Sequence, residues 1–352
     1  MRMRRGAAPI ALAIVLTIFA AASSLGAGCS RKVHLPTGPS PEVTGLAAVP
    51  STADVIVGLD MGRLAESPIV TRAIEMLLAR EPELATRWQT LQESCKLELG
   101  QVGHLMIALG PSPPGGRIGT GPMILIATGK ISEPDLVRCA RDIVGKGGGS
   151  VVVKNGEGRT LYQVKDGART MFIAFGRPDT VILGNNEAYV QEAVGGGSKA
   201  LDNPELAGWI KVADQNAPVW VVGRVADRLK TSLIRASGGL LKAGAKAYVG
   251  SLDLTDGVSG ELRALMASAE DAKQLESLAN LNLVGLSWAA QRAALAKIVQ
   301  KLSIKAQGDT VRFSVPLTMD DVNRVLEALD GEKAPAQDSP PAGGSAPTPP
   351  AP

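Results

Sequence analysis

A chain of 352 residues is long enough for roughly two domains of ordinary size. Its 45% hydrophobic and 20% charged residues can build a core, and 3% aromatics beside 40 glycines and 23 prolines point to Val, Ile, Leu and Ala joined by many turns. The formal charge of +3 rests on Arg2, Arg4 and Arg5, because residues 1–28 hold no acid, so the remainder is neutral and has no electrostatic footprint for nucleic acid.

Residues 1–5 are basic, and residues 7–22 are apolar apart from Pro9 and Thr17. Small residues then lead to Leu25-Gly26-Ala27-Gly28-Cys29. This is the pattern of a secretory signal. It is too short for a spanning helix, which needs about 20 apolar residues. Residues 1–28 resemble the bacterial lipoprotein signal, in which a small-residue box precedes a Cys that becomes the lipidated N-terminus. That family carries Leu three residues before the Cys, whereas here Gly26 holds that place and Leu25 lies one earlier. The resemblance implies lipid modification of Cys29 and anchoring in the cell envelope, facing the periplasm. Ser30 in place of Asp favours the outer over the inner membrane. Each buried acyl methylene contributes about 0.8 kcal/mol, so two or three chains hold firmly.

Residues 29–45, with Pro36, Pro39 and Pro41, read as a flexible tether. The body follows over 46–331, divided into units at 46–200 and 201–331. Its opening run 54–59 (DVIVGL) predicts a strand leading to a helix at Arg63-Leu64. Leu84, Trp88, Leu91 and Cys95 recur at helical spacing, as do Leu136, Cys139, Ala140 and Ile143. Cys95 and Cys139 therefore sit on two helices. They form one disulfide in an oxidising compartment, or two buried thiols packed as small hydrophobes.

Strand 123–127 leads to a helix capped at Ser132, and strand 180–183 to one capped at Asn186. In the second unit, run 219–225 (VWVVGRV) precedes a helix at Arg228-Leu229, and strands 259–267 and 311–315 precede helices capped at Ser268 and Thr318. Ser132, Ser268 and Thr318 each have an acid three residues on, the sequence sign of a helix start. Asn155-Gly156, Asp256-Gly257 and Gly308-Asp309 separate apolar runs and predict hairpins. Leu302, Ile304 and Ala306 alternate with Ser303, Lys305 and Gln307, as in a sheet with one polar face. The expected fold is α+β: two related units from an internal duplication, each an antiparallel sheet with helices on one face. Residues 332–352, almost all Pro, Ala, Gly and Ser, read as a disordered tail.

Catalytic signatures are missing. The two histidines are His34, in the tether, and His104, placed just before strand 105–109 with a structural role. The chain has no HExxH for zinc and no GxSxG elbow for a nucleophilic serine. No His lies near either Cys and there is no CxxC, which argues against a metal site. The glycines at 145–150 and 195–198 follow helices and read as C-terminal caps, since a phosphate loop precedes its helix. Residues 111–122 (PSPPGGRIGTGP) read as an exposed hairpin loop, and Trp88, Trp209, Trp220 and Trp288 as core packing. No catalytic, cofactor or metal residues are assigned. The chain is expected to be non-enzymatic, with a structural or protein-interaction role at the envelope. The alternative is a periplasmic carrier for a lipid or other apolar ligand.

Overall fold

A computed structural model describes residues 45–95, 99–113, 116, 119–156, 159–177, 179–292 and 296–331. The signal, Cys29, the tether up to residue 44 with His34, and the tail 332–352 lie outside the described residues.

The body is α+β. The first stretch runs β1 (Val55–Asp60), α1 (Met61–Glu66), α2 (Pro68–Arg80), α3 (Pro82–Cys95), β2 (Val102–Leu109), β3 (Met123–Gly129) and α4 (Glu133–Lys146). Then come β4 (Ser150–Gly156), β5 (Arg159–Asp166), β6 (Arg169–Arg177), β7 (Thr180–Gly184), α5 (Glu187–Val194) and α6 (Pro204–Val212). The chain continues with β8 (Val219–Arg224), α7 (Asp227–Ala236), β9 (Ala245–Asp253), β10 (Gly257–Met266) and α8 (Ala269–Arg292). It closes with α9 (Ala296–Val299), β11 (Ser303–Gln307), β12 (Thr310–Thr318) and α10 (Met319–Gly331).

The twelve strands among the described residues join one antiparallel sheet, in the order β11-β12-β10-β9-β8-β1-β2-β3-β7-β6-β5-β4. This corrects the expectation of two separate sheets. The halves meet where β1 pairs with β8, Val57 opposite Val221 and Gly58 opposite Trp220. The physical reason is the edge: either strand alone would present an apolar run with a row of unpaired backbone groups. The strands of the first half follow the order β1-β2-β3-β7-β6-β5-β4, and those of the second β8-β9-β10-β12-β11.

Helices on one face only is the second correction. In the first half both faces are covered. Ile56, Met106, Ile124, Ile126, Phe172 and Ile182 pack with Val190 and Ala193 of α5 and Leu206 and Ile210 of α6. The alternate residues Leu105, Leu125, Ala127, Ile173 and Val181 pack beneath Leu136, Ala140 and Val144 of α4. In the second half one face carries Ile304, Val311 and Phe313 against Ala272, Leu275 and Leu278 of α8. The other bears Glu261, paired with both Arg263 and Arg312. The one-faced pattern read from residues 302–315 thus describes the outer part of the second half.

The helix caps explain where the strands stop. Asn186 accepts from the Tyr189 N–H at 3.0 Å, and Ser268 from that of Asp271 at 3.1 Å. At Thr318 the cap is reciprocal: its Oγ1 accepts from the Asp321 N–H (3.3 Å), and Asp321 accepts from the Thr318 N–H (2.9 Å). Ser132 precedes α4 in extended conformation, but its hydroxyl makes no capping bond. At the far end of α4, the Gly147 and Gly149 N–H groups donate to the Val144 carbonyl (3.1 and 2.7 Å), and Gly148 takes φ +76°. The turn expected at Asn155-Gly156 does not fall on these two residues. Both residues still belong to β4, opposite Thr160 and Arg159.

Candidate functional site

A hollow lies on the face shared with α5 and α6, where β1 ends, β2 starts and β8 starts. It is a cleft of about 410 Å³ lined by Gly45–Leu46, Gly58–Asp60, His104–Met106, Ile126, Thr128, Gln215–Ala217 and Trp220. Pockets of this size hold small ligands.

Its floor follows from one missing side chain. Gly58 stands opposite Trp220 on one side and Met106 on the other. A Cβ on Gly58 would lie 2.2 Å from Cε2 and Nε1 of Trp220, so the indole lies across the bare backbone of β1. Trp220 is 6% exposed and belongs to the core cluster, yet it forms one wall of the cleft.

The next row along this face is polar. Asp60, His104, Thr128 and Thr180 stand opposite one another on β1, β2, β3 and β7. Directly opposed side chains have Cβ atoms about 4.5–5.5 Å apart. Asp60 also caps α1, its Oδ1 accepting from the Arg63 N–H at 3.1 Å. Thr128 Oγ1 donates to the His104 carbonyl at 3.4 Å.

The third wall is the connection between α6 and β8. Asp214 Oδ1 accepts from the Asn216 N–H (3.1 Å), and the Gln215 amide Nε2 donates to the Ile210 carbonyl (3.2 Å). Arg63 pins this connection from α1. Its Nη1 donates to the Asn216 carbonyl (2.8 Å) and its Nη2 to Asp253 Oδ2 (2.9 Å). Asp253 also accepts from the N–H and hydroxyl of Thr255 (2.9 and 2.6 Å), and these bonds hold its carboxyl below the usual range.

No protein-family model matches the chain, and no curated protein does. Among solved structures, that of TP0453 in crystal form I is similar at a TM-score of 0.42 with 10% identity, over 82% of this chain and 97% of that one. A likeness of this depth bears on neither activity nor ligand.

His104 does not precede its strand. It is an exposed residue inside β2, on the row that faces the cleft. The glycine inside the apolar run of residues 54–59 was the signal for a close approach, but nothing in the sequence names Trp220 as the group that approaches. Trp209 is half-buried beside the same core, with the Arg224 guanidinium 5.4 Å from its ring centre, and the Trp288 side chain lies outside the described residues. The acids at the starts of α8 and α10 make structural bonds: Asp271 accepts from the Lys242 N–H (2.8 Å), and Asp321 is held by Thr318 and Lys301. Among the described residues no cluster of three or more His, Cys, Asp or Glu could hold a metal ion.

Cys95 and Cys139 are joined, with Cα atoms 5.0 Å apart. The bond ties the last residue of α3 to the middle of α4, outside the cleft. A further polar site is Lys199, whose Nζ donates to the Ala193 carbonyl (3.0 Å) and the Glu192 carbonyl (2.5 Å) at the end of α5. Burial lowers its pKa to about 8, with Glu192 opposing that shift. It acts as a helix C-terminal cap.

Proposed function

We propose that the chain is an exported lipoprotein of the bacterial cell envelope, anchored to a membrane through Cys29 and facing the periplasm. On this reading it works by binding other envelope components and not by catalysis. The run Ala27-Gly28-Cys29 behind a basic start and an apolar stretch carries the proposal. The Cys95–Cys139 bond fits the oxidising compartment that such a route reaches. Among the described residues no helix is long and apolar enough to cross a membrane. Attachment on this reading falls to the lipid, and Ser30 favours the outer membrane.

The units 46–200 and 201–331 are, on this proposal, diverged copies of one ancestor. Three features support it. In each half the first, second and third strands lie side by side in sequence order, and the last strand pairs with the third. The opening strands β1 and β8 pair with each other across the middle. Helices follow the third and last strands of both halves. The first copy carries the added helices α2 and α3 and the added hairpin β4–β5.

The proposal is tested by Cys29→Ala. Wild type should incorporate labelled fatty acid and the variant should not. Equal labelling of both would overturn the anchor. Crosslinking in intact membranes should join the wild-type body to envelope proteins, and its failure would count against the interaction role. One observation favours the second reading, a carrier for an apolar ligand: the cleft beside Trp220, walled partly by Leu46, Met106 and Ile126.

A further inference from the structure

We infer that the cleft beside Trp220 binds a single-chain amphiphile with a cationic ammonium head. This deepens the carrier reading and rests on it.

The lining divides by chemistry. Leu46, Met106, Ile126, Ala217 and Trp220 make an apolar wall, with the indole filling the space over Gly58. Asp60, His104, Thr128, Gln215 and Asn216 make a polar rim. Of the fourteen lining residues, Asp60 is the one acid. Among the described residues its carboxylate makes no ion pair, and His104 stands opposite it on β2. The nearby cation, Arg63, points its guanidinium to Asp253 and to the Asn216 carbonyl. Its backbone N–H is what reaches Asp60, at Oδ1.

A ligand therefore meets a carboxylate beside an indole wall, with an apolar floor below. An ammonium gains from the carboxylate and from the aromatic face. A carboxylate or sulfate head would meet Asp60 with like charge. An alkyl chain fills the floor, and burial of each methylene adds to affinity in proportion to apolar area.

The test uses the full chain carrying Cys29→Ala, purified without detergent, and titration calorimetry below the micelle concentration. Decyltrimethylammonium should bind at one site. Decanoate, with a chain of similar length and opposite charge, and tetramethylammonium, with the head alone, should each bind at least about tenfold more weakly. Asp60→Asn should weaken decyltrimethylammonium binding about tenfold while leaving the thermal midpoint in place, because Asn is as good a helix N-cap as Asp. Decanoate binding as tightly as the ammonium, or Asp60→Asn binding like wild type, would overturn the charge selection and leave the carrier reading standing. No binding by any of the three would overturn both.

Discussion

Breaking the Cys95–Cys139 bond should cost stability in an amount set by the loop it closes. The two residues are 44 apart in sequence. For a loop of that length the chain-entropy relation gives about 4 kcal/mol at 25 °C, and measured losses run about 2–5 kcal/mol for native bonds. The loop contains β2 and β3, which sit in the middle of the sheet, so most of it is held independently. The segment that depends on the bond is α2–α3. No residue of α2 is buried, and α3 meets the body through α4, where the bond lies. Cys95→Ala/Cys139→Ala should therefore lose about 2–4 kcal/mol in urea unfolding followed by circular dichroism. With a slope of about 3 kcal/mol per M, the midpoint falls by about 1 M. Hydrogen exchange should rise first at residues 68–95 and little in β3. Equal midpoints, or uniform exchange across the sheet, would refute the reasoning. So would two thiols that alkylate in the denatured, unreduced Cys29→Ala chain.

Three other perturbations address the packing. Gly58→Ala puts a methyl 2.2 Å from the Trp220 ring, so the indole must leave; overpacking of this kind costs about 1–3 kcal/mol, and tryptophan emission should shift to the red. Ile182→Ala removes a side chain with no exposed surface, between Ile126 and Ala174; the loss in urea unfolding should be about 2–5 kcal/mol, and a loss below about 1 kcal/mol would contradict a close-packed face under α5. Asp321 has its pKa lowered to about 2 by the Lys301 ammonium first and then by the Thr318 N–H and hydroxyl. A depressed carboxyl contributes stability above its unfolded pKa and loses it as pH falls through the folded one, so this contribution should vanish between pH 3.8 and about 2. Asp321→Asn should flatten that limb of the stability curve relative to wild type, and identical curves would contradict the pairing with Lys301.

Local structure was legible wherever a short-range rule governs it. Asn186, Ser268 and Thr318 start helices because each side chain meets an amide three residues on. Gly308 turns β11 into β12 with φ +60°, where a side chain would be strained. The same rule applies at Asp166-Gly167, φ +57°, which joins β5 to β6. The continuity of the sheet was less legible. It depends on β1 meeting β8 across more than 150 residues, and no local pattern encodes such a partner. A hint of the second covered face did exist. Runs such as MILIA in β3 are apolar at every position, as in strands buried on both faces, whereas β11 alternates. The cleft was invisible because residues from five separate segments, from Leu46 to Trp220, converge on it. His104 looked isolated in the sequence, and only the register of β1 on β2 brings Asp60 opposite it.

The most direct test of the envelope-lipoprotein reading is the intact mass of the protein extracted from membranes of the cells that make it. Cleavage before Cys29 with acylation of that residue predicts a chain lacking residues 1–28 and heavier than its bare sequence by a diacylglyceryl group, with or without a third acyl chain, and with fragment ions placing the added mass on the first residue. A chain that begins elsewhere, or one that begins at Cys29 with no added lipid, would contradict the anchor and with it the proposed place of the protein at the membrane.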